Sequence, residues 1–315
     1  MKTKRAVGIV ALPLLGAAVL WGIANAKSAP VRWGSDGHRM AAQAAHGILP
    51  ESMPAFFREA KGQLEYLSPE PDRWRIEDFT EMDEAWRYDH YIDLENVPPG
   101  ALDASDRFEF IEALYDAGIE RPQQNVGFLP FRILEMQQRL TSGFARWRLT
   151  SAGTERDWIE SRVLNDAGII GHYVVDAAQP HHTTIHFNGW ADDAPNPRGF
   201  TTDRGFHSRF ESGFVRAHIN PRDLTPGLPR SPSRLGNVRK AIWEHVEASN
   251  ATVERLYRLE KEFGFEPDGR AHAETKEFVT ERLTAGAEML AAVWWTSWLD
   301  SERVAEAMRE ERRGR

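Results

Sequence analysis

His172 and Asp176 stand four residues apart, and so do His207 and Glu211. These two imidazole–carboxylate pairs constrain the fold more than any other feature of the chain. On a helix, residues four apart share one face, so each pair can aim a nitrogen and an oxygen at one point. Pro180 closes the first helix and leaves His182 just beyond its end. Five of the eleven histidines lie between Gly171 and Glu211. Imidazole nitrogen with carboxylate oxygen is a ligand set that zinc accepts. The chain contains no cysteine, so thiolate nucleophiles, disulfides and Cys-type zinc sites are excluded together. The stretch predicts a multi-zinc hydrolytic site.

Helical periodicity elsewhere agrees. Spacing predicts helices over 39–48, 54–61, 105–118, 124–149, 155–178, 207–218, 235–263 and 271–311. Ser35 or Asp36 would cap the first, and Asp72 would open a short one. Phe108, Ile111, Leu114 and Tyr115 would form the inner stripe of 105–118. Ala167, Gly168 and Gly171 would let another helix cross closely. The tryptophans of the last helix are read as core. Residues 183–206 form a loop rich in Asp, Asn, Pro and Gly, and 221–232 is expected to be irregular. No alternating strand pattern, internal repeat or Gly-rich phosphate loop is present. The expected fold is all-α, in one domain over 33–315.

Residues 1–32 differ in character. Lys2, Lys4 and Arg5 precede an apolar run to about Ile23 and then Ala24-Asn25-Ala26, the pattern of a signal peptide. An uncleaved anchor is the alternative. The expected location is therefore secreted or periplasmic. Formal charge is −8; the first 32 residues carry five basic side chains and no acid, which leaves −13 on the remainder. A broadly basic nucleic-acid groove is not indicated, so attraction for an anionic substrate must be local, as clustered zinc would supply.

The ordered set Trp33, His38, Asp72, His90, His172, Asp176, His182, His207 and Glu211, within Trp-Gly-x-x-Gly-His, Gly-His-x-x-x-Asp-x-x-Gln-Pro-x-His and His-Ser-x-Phe-Glu, resembles a known superfamily. It contains zinc-dependent bacterial phospholipase C and the fungal and plant single-strand-specific zinc nucleases, and the likeness runs from Trp33 to about Trp298. The resemblance implies a trinuclear zinc cleft in an all-α domain. One zinc would be held by Asp72, His90, His172 and Asp176, and a second by His182, His207 and Glu211. A third would take His38, a bridging Asp176, and the α-amino and carbonyl groups of Trp33. That amine requires a mature chain starting at Trp33, whereas the Ala24-Asn25-Ala26 site would leave 27–32 ahead of it. His181 falls one residue out of register and is expected near the ligands or on the surface.

Asp72, which can also orient the attacking water, and Arg75, which can hold a phosphoryl oxygen, match the nuclease pattern. So do Tyr91, which would stack on a base, and Asp93, which would hydrogen-bond it. Glu211 and the Gly205–Glu211 wording lean toward the phospholipases. The resemblance implies phosphodiester hydrolysis of single-stranded DNA or RNA and of 3′-nucleotides by metal-activated water. The alternatives are a phospholipase C acting on phospholipid head groups and a non-catalytic metal-binding surface protein. The protein is expected to be a monomer with no stable protein partner. His186, Phe187 and Trp190, in the long loop, are candidates for lining the same cleft. His46, His218, His245 and His272 have no partner at ligand spacing and are read as structural.

Overall fold

The apolar periodicities produce helices almost throughout the computed structural model, which describes residues 34–76 and 78–314. The longer ones are α1 (Ser35–Gly47), α2 (Lys61–Leu67), α3 (Thr80–Trp86), α4 (Arg107–Asp116), α5 (Leu129–Leu149), α6 (Thr154–Asp176), α7 (Val238–Asn250), α8 (Val253–Phe263) and α9 (Ala273–Gly314). Among the described residues there is no strand, only an isolated bridge between Phe187 and Gly189. The fold is all-α. No described helix is long and apolar enough to cross a membrane. Residues 1–33, with the expected signal peptide, its cleavage site and Trp33, lie outside the described residues.

The core is built on α5, α6 and α9, which pack on one another, with α1 laid across α6 and α9. Trp294 of α9 is fully buried and donates its indole N–H to the Ala167 carbonyl at 3.0 Å, so it is core, as the sequence suggests. Gly168 makes the close crossing possible: a Cβ there would stand 2.3 Å from Leu67 Cβ of α2. Gly171 would bring a Cβ to 3.3 Å from a Leu290 methyl of α9. Helix α6 therefore lies close enough to α2 for the Ser68 carbonyl to reach His172.

Several boundaries differ from expectation for physical reasons. α1 starts at Ser35 behind Gly34, with no side-chain cap; Asp36 sits in the first turn, where the helix dipole favours a carboxylate. Asp72 lies inside the one-turn helix Glu70–Arg73 rather than at its opening. In α4 the inward positions are Phe110 and Leu114, with Phe110 on Phe131 at 4.8 Å, while Phe108 and Tyr115 are exposed. The buried face is thus rotated from the expected stripe toward Phe110, which packs on Phe131, while Leu114 keeps its expected place. Gly127, at φ +85°, divides Pro122–Asn125 from α5. The expected 235–263 helix is two, α7 and α8, separated at Ala251 and Thr252. Part of 221–232 is ordered as Pro221–Leu224 by an Asn220–Asp223 capping box.

Candidate metal centre

Six segments deliver ligand-type side chains to one interior region. His38 comes from α1, and His172 and Asp176 from the last turns of α6, all with no exposed surface. His90 ends the 3₁₀ turn Arg87–His90, and His182 ends the 3₁₀ turn Pro180–His182. These two turns are laced together: Ile92 N–H donates to the His182 carbonyl at 2.8 Å, and Leu94 N–H to that of Thr183 at 3.3 Å. Beneath His90, buried Asp89 accepts from Arg132 Nε at 2.6 Å and Arg107 Nη1 at 3.0 Å, which fixes the turn to α5 and α4.

Asp176 joins the histidines. Its Oδ2 lies 3.0 Å from His90 Nδ1 and 3.2 Å from His172 Nε2, and its Oδ1 lies 3.1 Å from His182 Nδ1 and 3.6 Å from His38 Nε2. Asp72 reaches the same place from its one-turn helix, with Oδ1 3.7 Å from His172 Nε2. On the other side His207 Nε2 is 3.2 Å from His182 Nε2 and 2.9 Å from Glu211 Oε2. The structure thus brings together three candidate groups: His38, His172 and Asp176; Asp72, His90 and His172; and His182, His207 and Glu211.

The spacing of these atoms suits a cation. His172 Nε2 and His90 Nδ1 approach to 2.9 Å, and a neutral imidazole nitrogen offers either a proton or a lone pair. Tetrahedral ligands at ~2.0–2.1 Å from a zinc ion stand roughly 3.3 Å from one another. The edges among His182, His207 and Glu211 are 3.2, 2.9 and 3.6 Å. His172 Nδ1 faces the Ser68 carbonyl at 3.1 Å, so its proton belongs there and the Nε2 lone pair points into the cluster. These buried clusters could hold metal ions.

The electrostatics are those of a site short of positive charge. Burial opposes ionisation of Asp176, yet His172 and His182 hold it well below the usual carboxylate range. Burial pushes Glu211 up to about 8, against hydrogen bonds from His182 and Gln179. Gln179 Nε2 stands 3.1 Å from Glu211 Oε2 and 3.2 Å from His207 Nε2.

The remaining expected residues flank these clusters. Arg75 follows Asp72 by less than a turn, with its Nε 3.8 Å from Asp83 Oδ1 of α3. Tyr91 donates its hydroxyl to the Gln124 carbonyl at 2.8 Å, and its backbone lies against Gly127, where a Cβ would meet the Tyr91 carbonyl oxygen at 2.3 Å. Asp93 is 7% exposed; burial raises its carboxyl well above the usual range and Glu95 adds to this. His181 is not on the surface. It is buried among Phe206, Phe210 and Tyr257, and burial, then His207 and His182, keep it neutral.

His186 stacks on Trp190 at 3.7 Å and takes the Ala191 N–H on Nδ1 at 3.1 Å, so both rings serve the loop's own packing; Phe187 is exposed. His218 and His245 face backbone carbonyls of Glu266 and Val174, and His272 stacks on Phe263. Ser68 was missed because it acts through its carbonyl, which carries no side-chain signal. Gln179 was legible only as a fixed letter within the histidine motif. Compared with protein-family models and with curated proteins, the chain finds no match.

Proposed function

We propose that this protein is an exported zinc-dependent phosphoesterase of the phospholipase C/nuclease type, acting on phosphodiester bonds of single-stranded DNA or RNA and on 3′-nucleotides. The observation that carries the reading is the convergence of His38, Asp72, His90, His172, Asp176, His182, His207 and Glu211, spread over 174 positions of sequence, into three adjoining clusters, with Asp176 touching His38, His90, His172 and His182. One zinc would be held by Asp72, His90, His172 and Asp176, a second by His182, His207 and Glu211, and a third by His38 and Asp176 with the Trp33 terminus. Bound zinc supplies Lewis acidity, a lowered pKa for water and charge neutralisation for an anionic diester.

The protein's own groups account for the rest of the chemistry. Asp72 keeps a quarter of its side chain open to solvent, so it can orient a water while ligating. Arg75, on the same turn, offers a forked guanidinium to a non-bridging phosphoryl oxygen. Tyr91 is anchored at its hydroxyl, which holds the ring ready for a base to stack on. Asp93, whose carboxyl is raised well above the usual range by burial, would hydrogen-bond the edge of that base.

A second reading, a zinc phospholipase C, is supported by Glu211 and by Ile76 and Phe79, exposed immediately after Arg75. A non-catalytic metal-binding protein is the third. Purified protein with zinc should hydrolyse single-stranded DNA, RNA or 3′-mononucleotides, and His172→Ala should abolish this while helical content is retained. Turnover of phosphatidylcholine alone would transfer the case to the second reading. Full zinc occupancy with no phosphoester hydrolysed would transfer it to the third.

A further inference from the structure

The segment carrying His207 and Glu211 is not a plain α-helix. Phe206–Ser208 is α-helical, Arg209–Phe214 is π-helical, and Val215–His218 returns to α. A π-turn is rare and costs backbone geometry, so surrounding contacts must hold it. At its first position, midway between the two ligands, Arg209 meets three carboxylates from three other segments. Its Nη1 is 2.5 Å from Asp203 Oδ2, its Nε is 3.2 Å from Glu266 Oε1, and its Nη2 pairs with Glu260 of α8. Two of these partners are themselves tied down. Asp203 accepts the Gly205 N–H at 2.8 Å just ahead of the helix, and Glu260 accepts the Phe265 N–H at 2.9 Å. The guanidinium also lies over the Phe206 ring at 5.6 Å.

We propose that Arg209 is a positioning residue: by clamping the π-turn to Asp203, Glu260 and Glu266, it sets the register that brings His207 and Glu211 onto His182. The inference rests on the metal reading above. Arg209 touches none of the ligand atoms, so its removal acts on one cluster through the backbone. The clusters around Asp72, His90 and His38 are built on other segments and keep their geometry. Partners of this outer kind typically set metal affinity by about 10–100-fold.

The test is zinc retention by the full chain against graded chelator, with hydrogen exchange over 206–214 read in parallel. Arg209→Gln is expected to weaken one zinc about 10–100-fold, leave the others at wild-type affinity and speed exchange in that segment alone. Arg209→Lys, a point charge that cannot fork to three carboxylates, is expected to restore part of the loss. If Arg209→Gln does not fold, Glu260→Gln is the second variant, with a smaller loss at the same zinc. His207→Ala is the control. If it leaves zinc retention unchanged, the metal reading fails. If it lowers retention while Arg209→Gln and Glu260→Gln do not, the positioning role alone is overturned. Equal loss of every zinc in Arg209→Gln also overturns it, because the effect would then be on the whole fold.

Discussion

Substituting Glu211 by Gln isolates one term in the pH dependence of the metal-stripped chain. Glu211 has no exposed surface, and burial moves its carboxyl from 4.5 to about 8. The folded chain then holds a proton across a range in which the unfolded chain has lost it. A group raised on folding contributes stability that is fully present below its unfolded value and is lost as pH rises through its folded value. At about 1.4 kcal/mol per pH unit, Glu211 removes about 3–4 kcal/mol from stripped stability between pH 5 and pH 8. Asp176, held low, acts with the opposite sign and loses stability on acidification, but it is common to both proteins and cancels in their difference. Denaturant unfolding with chelator should therefore show wild type losing about 3–4 kcal/mol more than Glu211→Gln over that interval. Zinc should reverse the loss at pH 8, because the ion takes the place of the proton. Loading wild type at pH 7 in weak buffer should release a proton that the variant does not release. Equal pH slopes with equal proton release would refute both the assigned burial penalty and Glu211 as a ligand.

Other perturbations separate the roles. Asp176→Asn leaves His38, His90, His172 and His182 without their shared carboxylate, and should cost about 3–5 kcal/mol in stability with loss of zinc from more than one cluster, counted by elemental analysis. Arg75→Ala should lower kcat by about 10²–10³ with the zinc count unchanged, since it is proposed to touch substrate and not metal. Gly168→Ala places a methyl 2.3 Å from Leu67 Cβ and should destabilise by about 1–3 kcal/mol in thermal or denaturant unfolding, with activity falling only as α2 and Ser68 shift.

The all-α class and the central helices were legible because apolar periodicity is a local property, and α5, α6 and α9 carry it over many turns. The two imidazole–carboxylate pairs were legible for the same reason, since His172 and Asp176 share a face of any helix. What failed was phase and context. In the α4 stripe of Phe108, Ile111, Leu114 and Tyr115, Leu114 is buried as expected, but Phe108 and Tyr115 are exposed and Phe110 meets Phe131 instead. For His181 the sequence left a place near the ligand-type residues or one on the surface open, and the buried one, against His207, Phe206, Phe210 and Tyr257, is assembled from segments remote in sequence. The π-turn was hidden as well, because His207 and Glu211, four apart, fit an α-helical spacing.

Asp176 ends α6, where the helix dipole is negative and a carboxylate is disfavoured. It is also fully buried, which by itself would keep it protonated. A side chain opposed by both effects persists as an anion only where positive charge surrounds it, and the four imidazoles within 3.6 Å are the groups available. Protonating all four at neutral pH would set the like charges of His90 and His172 against each other at 2.9 Å, a cost no hydrogen bond here offsets. Cations shared among the imidazoles resolve both conflicts, since each leaves the ring nitrogens neutral and the carboxylates ionised. The arrangement is therefore poorly suited to a bare structural core and well suited to divalent metal, which is why Asp176, more than any histidine, is the residue on which the functional reading rests.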